Sequence, residues 1–290
     1  MAEAPAPAVT IVIPTRDRPR ELQRCLTAIS RDPEIARREV IVVDDDSRDR
    51  DAVALVVSRM GAELVSGGGA GPAAARNAGA RAARGPIVCF TDDDCEPSPE
   101  WASRLTGALV EGVSAVAGTT VNPNPGDPFA AASQALTNYL ADHDPVLFAP
   151  SSNVCCRIEV ARAVPFDESY PTAAGEDRAW CARLASEGHV LAREPAAVVS
   201  HRQRLGFAGF ARQQFRYGRG AHTFRRRAAD GRIRLASPRF YLGLLAHGAR
   251  EGWAVGLLVA AAQVFVAAGY VAEAAAELGH AARSRGSLGT

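Results

Sequence analysis

The sequence predicts an α/β fold, with a mostly parallel sheet flanked by helices and a helical C-terminal extension. Three observations carry this. Short, nearly continuous apolar runs (Val9–Ile13, Val40–Val43, Ile87–Phe90) alternate with helical stretches, the pattern of strands buried on both faces. Two of these runs end directly in three consecutive aspartates, so charge gathers at carboxyl ends of strands. Beyond residue 201 the strand-like runs stop, and long arginine-rich and apolar stretches follow.

In chain order, Val9–Ile13 is a strand cut by Pro14, and Thr15, Arg16, Asp17 and Arg18 form a loop. Pro19 opens a helix whose apolar stripe is Leu22, Cys25, Leu26 and Ile29. Val40–Val43 is the second strand and ends in Asp44, Asp45, Asp46 and Ser47. A helix over Asp51–Met60, a weak strand over Ala62–Val65, the turn Gly67–Gly71 and an Ala-rich helix Ala73–Arg84 come next. This alternation reads as a Rossmann-like half-domain. No GxGxxG follows the first strand, so no dinucleotide site is indicated.

Ile87–Phe90 delivers Thr91, Asp92, Asp93 and Asp94 to its end, and Pro97, Ser98 and Pro99 are expected to stop any regular element. Three carboxylates at the end of a buried strand are costly without a cation. That end is where ligands bind in an open α/β sheet. A divalent cation carrying a phosphorylated substrate suits hard oxygen ligands. A solvated acidic loop capping a helix near Pro99 accounts for the same letters.

Further on, Trp101–Glu111 is expected to be helical and Ser114–Thr120 strand-like. Residues 121–150 read as loop or mobile cover with a short helix near Phe129–Leu140, and Ser151–Arg157 as a strand. Glu168–Glu176 reads as a loop before the helical stripe Trp180, Cys181, Leu184. His189–Ala192 and Ala196–Ser200 are expected as two short strands, with His201 at the end. Arg202–Arg239 holds eleven arginines and one acidic residue, interleaved with aromatics, and Trp253–Ala272 is uncharged.

The chain has 290 residues, 47% of them hydrophobic, enough for one large core and a smaller appendage. The net charge of +1 offers no general case for nucleic-acid binding. Lysine is absent, a compositional bias rather than chemistry. The six cysteines show no CxxC pair or zinc spacing, and the N-terminus carries no basic-then-apolar signal, so a reduced, cytoplasmic chain is expected.

The stretches VTIVIPTRDRPRELQRCLTAI, VIVVDDDSRD, GPAAARNAGARAARG, GPIVCFTDDDCEP, FDES, GEDRAWCARLASEGH and SHR run in order from residue 9 to about residue 201. Together they resemble a family 2 glycosyltransferase of the GT-A fold. The resemblance implies a mixed, mostly parallel sheet, a nucleotide-sugar and catalytic domain over 1–201 with acceptor-side elements mainly in 121–201, and a C-terminal region over 202–290. It implies an inverting transfer from a nucleotide diphosphate sugar, most simply a UDP-sugar, to an acceptor hydroxyl. Thr15 and the Asp44–Asp46 cluster, with Asp44 and Asp46 foremost, would hold the nucleoside. Arg76 would lie near the nucleotide, with a surface charge as its other reading. Asp92 would contact ribose or sugar. Asp94 and His201 would bind Mn²⁺ or Mg²⁺, and Asp177 would be the general base, its pKa raised by neighbouring Glu176. Both acids also suit the first turn of a helix.

Gln213, Arg216 and Tyr217 resemble a QxxRW motif with tyrosine for tryptophan, placing them beside acceptor or diphosphate; an amphipathic basic helix explains them equally. The implied partners are a nucleotide-sugar donor and an acceptor that can be a small molecule, glycan or lipid-linked sugar, without nucleic acid. Trp253–Ala272 is read as a buried C-terminal helix or dimer contact. Peripheral or inserted contact at the cytoplasmic face of a membrane is its other reading. Two further function classes stay in view: a metal-dependent sugar-1-phosphate nucleotidyltransferase, whose Gly-rich loop would stand where PTRDRP does, and a nucleic-acid-binding module built on 202–239.

Overall fold

The computed structural model describes residues 7–124, 126–143, 148–170, 174–227 and 237–286, with side chains to 278. Contacts divide the chain into two units, Met1–Asn124 with Leu140–Gln203, and Pro125–Tyr139 with Arg204–Thr290.

The first unit is built on a mixed sheet. Strands β1 (Val9–Thr15), β2 (Arg38–Asp44), β3 (Glu63–Ser66) and β4 (Ile87–Phe90) are parallel and form one half. β5 (Cys95–Pro97), β6 (Ala115–Val121), β7 (Val154–Arg157) and β8 (Leu191–His201) complete the order β3-β2-β1-β4-β7-β6-β8-β5 among the described residues. β7 runs antiparallel to β4 and β6, and β5 antiparallel to β8.

Successive residues of β1 alternate between two cores. Ile11 and Ile13 pack with Leu22 and Leu26 of α1 (Pro19–Ile29) and Trp101 of α4 (Trp101–Gly107) on one face. Val12 packs on the other, with α3 (Pro72–Ala82) and with Trp180 of α7 (Glu176–Ser186). Both faces are therefore covered, which explains why β1 is apolar without alternation. At Gly79 a methyl group would overlap the Val12 side chain, so the missing side chain lets α3 press onto β1. That close approach carries Arg76, one turn earlier on the helix, toward the carboxyl edge of the sheet.

Two expectations need correction here. The prolines after Asp94 do not end regular structure, because Cys95–Pro97 pairs as the edge strand β5, where Pro97 needs no outward hydrogen bond. His189–Ala192 and Ala196–Ser200 are not two strands. They belong to the single strand β8, which absorbs Pro195 in a register shift opposite Ala117 and Thr119 of β6.

The second unit is helical. It contains most of α5 (Pro128–His143), α8 (Phe207–Arg227), α9 (Pro238–Arg250) and α10 (Trp253–Gly286). Ala132, Leu136, Tyr139, Phe210, Leu244, Val259 and Ala262 form its core. The segment read as loop or cover over 121–150 thus holds a 16-residue helix whose apolar face supplies part of a core. Gly218 of α8 and Gly269 of α10 lie against each other's helix backbones, where any side chain would overlap main chain. The ion pairs Arg219–Glu273 and Arg226–Glu277 bind the same two helices.

Candidate active site

The acidic triplet sits in a tight turn between β4 and β5, closed by Cys95 N donating to Asp92 O at 3.1 Å. Each aspartate therefore points a different way. Asp92 accepts from Arg76 Nη2 at 2.6 Å. Asp93 is buried, and accepts from Thr15 Oγ1 at 2.8 Å and Arg18 Nη1 at 3.2 Å. Asp94 meets His201 Nε2 at 3.2 Å through Oδ1, and Arg18 Nη1 at 3.1 Å through Oδ2.

Register explains the Asp94–His201 contact. β5 pairs Cys95 with His201, and Arg202 N donates to Asp94 O at 3.0 Å, so residues far apart in sequence are held side by side. Electrostatics follow from this placement. Burial pushes Asp93 up to about 7, with Arg18 and Thr15 opposing. Burial also works to raise Asp94, but the hydrogen bond and charge of His201, and then Arg18, outweigh it and hold this carboxyl below its ordinary value. His201 is raised: burial disfavours its cation, and Asp94 more than compensates.

Asp94 and His201 thus present an oxygen and a nitrogen to the same point, and the sulfur of Cys95 belongs to the same cluster. Burial drives the Cys95 thiol well above its usual value. One carboxylate and one imidazole suit Mn²⁺ or Mg²⁺.

A second cluster lies on the other side of Asp92. Arg76 is almost fully buried and bridges Asp92 to Glu176, its Nη1 lying 3.4 Å from Glu176 Oε1. Arg76 is therefore no surface charge. Glu176 is turned inward, and its Oε2 is buried with no hydrogen-bond partner among the described residues. Asp177 is half-buried at the start of α7, where Oδ1 accepts from Arg178 N at 2.8 Å. Gly175, in the left-handed region at φ 93°, makes the turn into α7 immediately before the two acids.

Burial raises Asp177, with Arg76 opposing. Burial and then the like charge of Asp177 push Glu176 up to about 7. The raised Asp177 carboxyl has the direction the sequence reading expected, with burial rather than the neighbouring Glu176 as its chief cause.

The first two strand ends adjoin this edge. Asp44 accepts from Ser47 N at 3.0 Å, and Asp45 accepts from Gly71 N at 3.2 and 3.1 Å, which ties the Gly67–Gly71 turn to the β2 loop. Asp46 is exposed at φ 66° and ion-pairs with Arg50. The Thr15 hydroxyl is engaged by Asp93. In the helical unit, Gln213 is buried and accepts from Ser133 Oγ at 2.9 Å, while the Arg216 guanidinium lies 5.8 Å from the ring centre of its half-exposed neighbour Tyr217.

Sequence reasoning gave no role to Arg18 or Asn77, and did not single out Asp45 within its cluster. Asn77 clamps the loop before α7: Nδ2 donates to Phe166 O and Glu168, and Oδ1 accepts from Phe166 N. Its position next to Arg76 in the sequence was the one available signal.

Comparison with known proteins agrees with this architecture. A pre-mycofactocin glycosyltransferase of Mycobacterium tuberculosis is 32% identical over 226 residues, 73% of this chain. The chain spans 46% of that relative, about half its length. Among solved structures, glucosyl-3-phosphoglycerate synthase of M. tuberculosis, in complex with Mn²⁺, UDP and phosphoglyceric acid, superposes with a TM-score of 0.59 at 21% identity, over 78% of this chain and 80% of its own. The mannosyltransferase PcManGT of Pyrobaculum calidifontis, in complex with GDP-mannose and Mn²⁺, gives 0.59 at 21%, over 96% of this chain and 80% of its own. The Glycosyl transferase family 2 profile matches residues 10–166, more than half of the chain, and the protein therefore belongs to that family.

Proposed function

We propose that this protein transfers a sugar from a nucleotide diphosphate sugar to an acceptor hydroxyl with inversion, with Asp177 as general base. One observation carries the reading: Arg76 joins Asp92, at the end of β4, to Glu176, next to Asp177, while Asp94 meets His201 two residues along. Donor-side and acceptor-side carboxylates thus share one edge of one sheet. The nucleotide and Mn²⁺ bound by the related structures support the same donor class.

In this reading Asp44 and Asp46 flank the nucleoside, and Asp92, held by Arg76, orients the ribose or sugar. Asp94 and His201 hold Mn²⁺ or Mg²⁺, which would neutralise charge developing on the diphosphate. Asp177 takes the proton of the acceptor hydroxyl as that oxygen attacks the anomeric carbon. The bond to the diphosphate breaks as the new one forms, and the nucleoside diphosphate leaves with the electron pair, which inverts the centre. The upward shift of Asp177 is in the direction that suits a general base.

A panel of UDP-, dTDP- and GDP-sugars with Mn²⁺, scored for slow hydrolysis without acceptor, tests the class. Release of nucleoside diphosphate from one donor is expected. Release of pyrophosphate from a nucleoside triphosphate with a sugar-1-phosphate would instead identify a nucleotidyltransferase. His201 provides a narrower check. His201→Ala should weaken Mn²⁺ more than Mg²⁺, because nitrogen is the softer donor; equal loss for both ions would remove His201 from the metal shell.

The C-terminal helix takes a different part. α10 is not buried as expected: Trp253, Leu257, Val264, Val271 and Leu278 are 64% to 80% exposed. Nor is it free to cross a bilayer, because α8, which brings Arg219 and Arg226, lies along it and would follow. The large exposed residues from Leu257 recur every seventh position, with Ala260, Ala267 and Ala274 between them, the spacing of a close helix–helix seam. This favours a second copy of the chain over a lipid surface, which needs only apolar area. Light scattering should show a dimer that Val264→Lys converts to a soluble monomer. A wild-type monomer that sediments with anionic vesicles would decide for the membrane.

A further inference from the structure

The mechanism above gives no part to Arg18. Arg18 stands between β1 and α1, and its Nη1 contacts Asp93 Oδ1 at 3.2 Å and Asp94 Oδ2 at 3.1 Å. The other oxygen of Asp94 faces His201. Arg76 is committed elsewhere, between Asp92 and Glu176. Arg18 therefore supplies the balancing charge at Asp93 and Asp94, and it does so from the solvent side, with 53% of its side chain exposed.

The two sides of this contact differ in how firmly they are held. Asp93 and Thr15 are buried and fixed by their mutual hydrogen bond, whereas Arg18 loses little packing by moving. A divalent ion on Asp94 would sit within a few ångströms of the guanidinium, and the repulsion would act on the more mobile partner. A planar guanidinium displaced from a carboxylate finds an equivalent fork of oxygens on a diphosphate.

We propose that Arg18 is the resident counter-cation of Asp94, displaced by the divalent ion, and that the released guanidinium then grips the diphosphate of the nucleotide. The inference rests on the reading that Asp94 holds the metal. It makes metal and nucleotide binding depend on Arg18 with opposite signs. Metal alone must compete with Arg18, whereas metal together with diphosphate recruits it. A residue that only binds phosphate, or only supports the loop, would not produce that reversal.

The test uses the full chain, with Mn²⁺ followed by electron paramagnetic resonance and UDP by calorimetry at saturating Mn²⁺. Arg18→Gln should bind Mn²⁺ alone about threefold to tenfold more tightly, since one nearby positive charge is gone. The same variant should bind UDP about tenfold or more weakly, from loss of a charge-assisted contact, while uridine affinity stays unchanged. Arg18→Lys, which keeps the charge and guards against a folding defect, should stay near wild type for Mn²⁺ and fall between the two for UDP. Unchanged or weaker Mn²⁺ binding in Arg18→Gln overturns the displacement. Tighter Mn²⁺ with unchanged UDP overturns the diphosphate contact. Asp94→Ala in the same titration tests the metal reading separately: if it retains wild-type Mn²⁺ affinity, the metal is elsewhere and the proposal falls with that assignment.

Discussion

Asp177→Asn should bind the donor as the wild type does and turn over about 10²–10⁴-fold more slowly, the range for loss of a general base. Asn preserves size and the hydrogen bond from Arg178 N, so the start of α7 is retained and only the proton acceptor is lost. In the proposed reading donor affinity rests on other residues, chiefly Asp44, Asp46, Asp92 and Asp94. A contribution made only in the transition state appears in kcat and not in donor binding. The pH profile gives an independent sign. The base works ionised, so turnover rises with pH through the raised pKa of Asp177, and this limb should vanish in Asp177→Asn. Glu176→Gln should cost far less, because glutamine can still accept from Arg76 and the wild-type acid, pushed up to about 7, is largely protonated below neutrality. Steady-state transfer alongside nucleotide affinity decides the matter. If Asp177→Asn keeps more than about a tenth of wild-type kcat, or Glu176→Gln is the more damaging change, the base lies elsewhere.

Asp94→Ala should abolish metal-dependent binding of the nucleoside diphosphate. The substitution removes the carboxylate that His201 and Arg18 both face, which leaves His201 without this partner and Arg18 with Asp93 alone. Metal affinity then lacks its main oxygen ligand, and with it the bridge to the diphosphate. Calorimetry with UDP and Mn²⁺ should show no Mn²⁺ enhancement in this variant. Asp92→Ala should retain that enhancement and lose a smaller part of the affinity, because Asp92 faces Arg76 rather than His201. Affinity within about twofold of wild type for Asp94→Ala would remove Asp94 from the metal site.

The parallel half of the fold was legible in the letters. β1, β2 and β4 are apolar on both faces because both faces are covered, and such runs stand out against flanking charge and proline. The acidic strand ends, and the place of Glu176 and Asp177 at the start of a helix, were legible for the same local reason. The burial of Arg76 was not. Its Ala-rich helix has no strong apolar stripe, and which face turns inward is set by the approach of Gly79 to Val12, a contact between residues 67 positions apart.

Local chemistry along the chain was enough to predict the α/β class and to mark the acidic strand ends as the candidate site. Strand pairing and helix packing decided the rest. Whether Asp94 meets His201 depends on the antiparallel register of β5 on β8, and three adjacent aspartates acquire three different partners only because the turn between β4 and β5 aims them apart. Likewise composition marks Trp253–Ala272 as apolar, yet only the packing of α8 and α9 shows which side is covered and which is left to water. Hydrophobic pattern and turn chemistry act over a few residues and can be read there. Register and facing are set by contacts between distant segments, whose outcome no single segment contains.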